Sequence, residues 1–100
     1  MADVVLAVSG IPIRLTEERW GHIVLQHPEV AHLRQFVTQA IGHPERVLET
    51  STGERMAVIA YEPGKYMVVI YVENPPDGFI VTAFLTRRTA WLDKRRQLWP

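Results

Sequence analysis

The stretch from Arg46 to Leu85, RVLETSTGERMAVIAYEPGKYMVVIYVENPPDGFIVTAFL, decides how this chain folds. Four runs in it, Arg46–Thr50, Arg55–Tyr61, Lys65–Val72 and Phe79–Leu85, are rich in β-branched and aromatic residues and read as strands. Between them stand Ser51-Thr52-Gly53, Glu62-Pro63-Gly64 and Glu73-Asn74-Pro75-Pro76-Asp77-Gly78, all turn chemistry. Connections this short join antiparallel neighbours, because a parallel crossover needs about a dozen residues. The expectation is a four-stranded antiparallel meander. In its last strand, simple alternation puts Thr82 on one face with Ile80 and Phe84. Phe79, Val81, Ala83 and Leu85 then form the other, wholly apolar face.

Upstream, residues 3–8 and 11–15 read as short extended segments broken by Ser9-Gly10. Pro12 places the second of them at a sheet edge or outside the sheet. Thr16 has the chemistry of a helix N-cap, with Glu17 and Glu18 in the first turn, where the helix dipole favours negative charge. Pro28 stops that helix at about His27. A second helix is expected over roughly 29–41, where Val30, Leu33, Phe36, Val37, Ala40 and Ile41 make one apolar stripe. Gly42 is expected to end it in a left-handed conformation, and Pro44 prevents its continuation. Downstream, residues 89–99 are expected to form a short helix docked by Trp91, Leu92, Leu98 and Trp99. The expected fold is therefore α+β, one domain over residues 1–100. Two N-terminal helices pack on a four-stranded antiparallel meander, with a short C-terminal helix.

Composition narrows the function classes. Of 100 residues, 47% are apolar and 22% charged, a balance that excludes a disordered chain. No apolar run approaches the roughly 20 residues of a membrane helix, so no membrane partner is expected. The opening MADVVLAVSG carries an acid and no basic region, unlike a secretory signal. With no cysteine there is neither a disulfide framework, a thiolate metal site nor a cysteine nucleophile. The cytoplasm is the expected compartment. The zero net charge hides an asymmetry: residues 1–86 carry ten acidic and six basic side chains, whereas Arg87, Arg88, Lys94, Arg95 and Arg96 face only Asp93. A cationic end on an acidic body is either a solvated terminus or an electrostatic footprint for nucleic acid.

The reactive groups left are His22, His27, His32 and His43, and an ordinary histidine suits proton transfer near neutral pH. At 100° per residue, Trp20, Ile23, Val24 and His27 share one face of the first helix, and His22 lies opposite with Arg19 and Gln26. Metal ligation is disfavoured, since paired ligands on a helix want a spacing of four residues and these are five apart. No Gly-x-Ser-x-Gly elbow and no glycine-rich phosphate loop occurs, and no cofactor is expected. A mid-strand hydroxyl at Thr82 could donate to a phosphate oxygen, although threonine is also an ordinary strand residue. Arg55, Tyr61, Lys65, Tyr66 and Tyr71 are cations and aromatics suited to a nucleotide backbone and its bases.

Leu15-Thr16-Glu17-Glu18-Arg19-Trp20-Gly21-His22-Ile23, then His27-Pro28-Glu29, is joined by Ile41-Gly42-His43-Pro44-Glu45-Arg46-Val47, Lys65-Tyr66-Met67-Val68-Val69 and Ile80-Val81-Thr82-Ala83-Phe84-Leu85-Thr86. This order resembles the small phage-type and bacterial proteins of the barnase–EndoU–colicin–RelE-like nuclease group, over about residues 14 to 88. The resemblance implies N-terminal helices before a four-stranded antiparallel sheet, and metal-independent RNA cleavage that leaves a 2′,3′-cyclic phosphate. It implies His22 and His27 as acid–base groups and Thr82 as the phosphate-binding hydroxyl, with Arg55, Arg87 or Arg88 as the cation and Glu29 orienting a histidine. RNA is the implied substrate, and a toxin role with an antitoxin or immunity protein as partner is the implied setting. The reading kept beside it is a non-catalytic protein- or nucleic-acid-binding module on the same fold. Trp91 and Trp99 add the expectation of a homodimer docked through residues 89–100.

Overall fold

The computed structural model describes residues 2–100. Its strands are β1 (Asp3–Leu6), β2 (Pro12–Leu15), β3 (Arg46–Glu49), β4 (Arg55–Glu62), β5 (Lys65–Asn74), β6 (Asp77–Thr86) and β7 (Gln97–Trp99), and its helices are α1 (Glu17–Gln26), α2 (Arg34–Gly42) and α3 (Ala90–Asp93). All seven strands join one sheet in the order β1-β2-β6-β5-β4-β3-β7. The class is α+β. The expected meander is present as β3 to β6, with every neighbour antiparallel.

The sheet is wider than the four strands expected. The β1–β2 hairpin adds to the β6 edge, where β2 runs parallel to β6 through Ile13 and Arg14 beside Gly78 and Phe79. Pro12 is therefore neither at a sheet edge nor outside the sheet. As the first residue of β2 it opposes Leu6, a position where its missing N–H costs no ladder bond in mid-strand. At the far edge, residues 97–99, expected as helix, pair with β3. Only one helical turn, α3, forms from the 89–99 segment, and it buries Leu92.

Thr16 caps α1 by accepting a hydrogen bond from the Arg19 N–H at 3.1 Å, and the helix ends at His27 as its sequence predicts. The second helix starts later than expected. Pro28–Val30 form a single 3-10 turn, and α-helix resumes only at Arg34. Gly42 is not left-handed either, since the glycines with positive φ among the described residues are Gly10, Gly53 and Gly64. It closes α2 where the helix crosses β1, and a Cβ there would lie 3.2 Å from Val5 Cγ2. Close approach, not dihedral freedom, explains that glycine.

Two cores flank the sheet. On the helix side, Ile23, Val37, Ala40 and Ile41 pack on Ala57, Met67, Val69, Ile80 and Ala83. On the other side, Leu48, Met56, Val58 and Val68 pack under Leu92 of α3, with Tyr66, Ile70, Phe84 and Trp91 around them. Arg34 ties the N-terminal elements together, reaching Asp3 at 2.8 Å and Glu17 at 2.7 Å. No helix among the described residues is long and apolar enough to cross a membrane.

Two outcomes follow from this packing. Gly78 sits where β2, β6 and β5 meet, and a Cβ there would stand 2.1 Å from the Val72 carbonyl oxygen. Gly78→Ala is expected to cost at least about 3 kcal/mol, read as a fall in the denaturant midpoint. The hydrogen bond from Arg34 also holds the Glu17 carboxyl below the usual carboxylate range. A depressed folded value means that this contribution is present above the unfolded pKa and fades as the pH falls through the folded one. Thermal unfolding from about pH 6 to about pH 3 should therefore decline more steeply in the native chain than in Glu17→Gln.

Candidate functional site

The long hairpin of β5 and β6 organises the site. Ile70 opposes Thr82, but Tyr71 opposes Ile80, so Val81 is an extra, unpaired residue in β6. A bulge of this kind shifts the alternation by one. Ile80 therefore joins the helix-side core with Ala83 and Leu85, while Thr82 and Phe84 face the opposite side with Ile70 and Val68. The expected grouping of Ile80 with Thr82 does not hold, and Phe79 is 46% exposed instead of core-facing.

His27 ends α1, its backbone N–H donating to the Ile23 carbonyl at 2.7 Å. Pro28 bars further α-helix, so the imidazole stands at the corner between α1 and the 3-10 turn, beside the β6 edge that β2 leaves open beyond Phe79. Its ring lies 5.5 Å from the Phe84 ring, tilted by 34°. Nδ1 is 3.5 Å from Glu29 Oε2, with both side chains about one-third exposed. Phe84 in turn stacks on Trp91 at 6.2 Å, and the Arg95 guanidinium lies 5.8 Å from the Trp91 ring. The result is a continuous row of imidazole, two aromatic rings and a cation. Among the described residues no carboxylate lies within 4 Å of the Arg95 or Arg88 side chains, so both charges are available at this end of the chain.

The other sequence candidates disperse. His22 is exposed on α1. Five residues from His27 on a helix, it is turned about 140° away, so the two imidazoles share no helix face. Thr82 is on the same side of the sheet as Phe84, but its hydroxyl is buried and has no hydrogen-bond partner. A phosphate reaches that oxygen only after the side chains over it move. Arg55 belongs to the helix-side face, with its Nε 3.7 Å from Glu73 Oε1. Arg87 is held by Glu62 at 3.1 Å. Arg88 follows the end of β6, with its backbone N–H on the Thr86 hydroxyl at 3.0 Å.

Trp91 and Arg95 were not among the site candidates. A heptad or strand pattern does not reveal them, because Trp91 reaches Phe84 from a single helical turn and Arg95 follows that turn to lie against Trp91. Glu29 is where an orienting carboxylate was expected. Among the described residues no three histidine or acidic side chains cluster as a metal site requires. A depression of about 1090 Å³ between β1 and α2 is lined by His43 but by neither His22 nor His27. It has no part in this row.

Removing the unpartnered Thr82 hydroxyl should relieve a desolvation cost. Thr82→Val is expected to stabilise the fold by about 1 kcal/mol, a rise of roughly 4–8 °C in Tm for a domain of this size. Scanning calorimetry reads it directly, and a lowered Tm would mean that the oxygen has a partner in solution.

Compared with family models, curated proteins and solved structures, the chain matches none.

Proposed function

We propose that the row from His27 through Phe84 and Trp91 to Arg95 contacts RNA, and that the protein is an endoribonuclease working without a metal. The observation that carries this reading is the His27–Glu29 couple seated against the aromatic pair, with unpaired cations on the same end of the chain. Bases of a single strand stack on rings such as Phe84 and Trp91, at about 1–3 kcal/mol per base, and arginines beside them take the phosphates. His27 then removes the proton of a ribose 2′-hydroxyl. The freed oxygen attacks the adjacent phosphorus, the bond from phosphorus to the 5′-oxygen breaks, and the departing oxygen takes a proton from solvent. The products are a 2′,3′-cyclic phosphate and a free 5′-hydroxyl. Glu29, 3.5 Å from Nδ1, orients the imidazole as it takes the proton. Arg88 and Arg95 balance the charge that gathers on the phosphate. The resemblance to the barnase–EndoU–colicin–RelE-like group points the same way. In a toxin setting, an antitoxin or immunity protein would act by covering this row.

A second reading, RNA binding without cleavage, draws on a specific observation. His22 is turned away and the Thr82 hydroxyl is buried, which leaves one imidazole where the resemblance implies two. The same experiment separates the readings. Purified protein is incubated with single-stranded RNA in chelator, and both products and binding are followed. Cleavage to cyclic phosphate ends, reduced about 10²–10⁴-fold in His27→Ala with binding retained, is the expected result. Intact RNA that is bound in a salt-dependent way and released by Phe84→Ala or Trp91→Ala would leave the binding module. Absence of both cleavage and binding would remove RNA from this surface.

A further inference from the structure

The opposite face of the sheet carries a separate polar cleft. It has a volume of about 300 Å³ and lies where the β1–β2 turn and β7 approach the ends of β4 and β5. Arg55 and Tyr71 form a cross-strand pair, and Glu73 follows on the same face of β5. The Tyr71 side chain is fully buried, yet its hydroxyl has no hydrogen-bond partner. Burial, reinforced by the Glu73 carboxylate, pushes that phenol up to about 12, so it stays protonated and can donate.

Glu73 is only 11% exposed in its side chain. Ser9 donates to Oε2 at 2.6 Å and so fixes the carboxylate from the β1–β2 turn. Oε1 is 3.7 Å from Arg55 Nε, beyond hydrogen-bond distance, and so keeps its accepting capacity. Trp99, Leu98 and Val8 supply apolar walls. One cation and one anion at the floor favour an uncharged guest. An anion would meet Glu73 and a cation would meet Arg55.

We propose that this cleft binds a neutral, flat ring carrying a lactam edge, the C(=O)–N–H pattern shared by uracil and hypoxanthine. The ring N–H donates to Glu73 Oε1. The carbonyl oxygen has two lone pairs and accepts from the Arg55 guanidinium and, once the side chains that seal it move aside, from the Tyr71 hydroxyl, which gives the orphaned phenol its partner. The ring lies against Trp99. A buried hydroxyl without a partner at the wall of a cleft points to a polar guest, and the volume is at the lower end of the range for small-ligand pockets. Adenine offers a ring nitrogen with a single lone pair at the matching place, so it satisfies only one of the two donors.

The cleft and the His27 row lie on opposite faces, so each can fail alone. The test titrates the full chain with uridine, inosine, adenosine and 3-methyluridine, following the Trp99 indole signal by NMR. Uridine and inosine should bind, and adenosine and 3-methyluridine, which lacks the donating N–H, should bind about tenfold more weakly. Tyr71→Phe should weaken uridine about tenfold while its Tm stays level or rises, because the lost hydroxyl had no partner in the fold. His27→Ala should leave uridine binding unchanged. If the dinucleotide UpU binds more tightly than uridine with the same Tyr71 dependence, the ring arrives as part of RNA. Equal affinities identify a free nucleoside. No binding of uridine at millimolar concentration, equal binding of 3-methyluridine, or an unaltered affinity in Tyr71→Phe overturns the proposal.

Discussion

The one residue that β6 has in excess of β5 governs the arrangement of everything else. Val81 has no partner across the hairpin, so the side-chain alternation of β6 reverses there. Toward the Pro75-Pro76 turn, Ile80 fills the helix-side core beside Tyr71. Toward the C-terminal end of the strand, Ala83 and Leu85 do so, and Phe84 swings to the other face. Without the bulge, a strand of this sequence would keep Ile80, Thr82 and Phe84 together, and either the helix-side core or the aromatic row would lose its central member. Gly78 supports the same geometry from below, since the approach of the Val72 carbonyl tolerates no side chain at the point where β2 joins.

Much of the fold is legible locally. The β3–β6 meander is written in β-branched runs separated by Gly and Pro turns, and α1 in the Thr16 cap and the Pro28 stop. Short elements were the less legible ones. Pro12 argues for an edge on its own, but it stands at the first position of β2, where the ladder makes no demand on its missing N–H. Gln97–Trp99 has no strand signature stronger than its helical one. It becomes a strand because β3 presents an unpaired edge beside it. Trp91 and Leu92 do dock, as their apolar character suggests, but through a single turn. Leu92 is thereby committed to packing within the chain, and Trp99 is 38% exposed at the rim of the cleft.

The candidate site divides along the same line. His27 and Glu29 are three residues of chain around one proline, and their proximity is a local matter. Meeting Phe84 and Trp91 depends on α1 lying along the open edge of β6. That placement comes from Ile23 and Trp20 finding the helix-side core. Arg55 and Tyr71 look in the sequence like a cation and an aromatic strung along a nucleotide path, and Glu73 like the start of the turn that follows. Counting back from the Pro63-Gly64 turn would pair Arg55 with Val72; a register shift between Ala60 and Glu62 sets it opposite Tyr71 instead, and the contribution of Ser9, sixty-four residues from Glu73, is equally invisible to any such count.

By itself the sequence determined the elements whose causes lie within a few residues: the caps, the proline stops, the turn chemistry, and the four central strands with their order. It also placed a histidine and a carboxylate at the end of the first helix. Tertiary structure decided which face each strand residue occupies beyond Val81, which short segments became strands, and which charged groups stand alone. The physical reason is that register and edge pairing are set by partners distant in the chain. A one-residue shift, costing little locally, moves every side chain beyond it to the opposite face of the sheet.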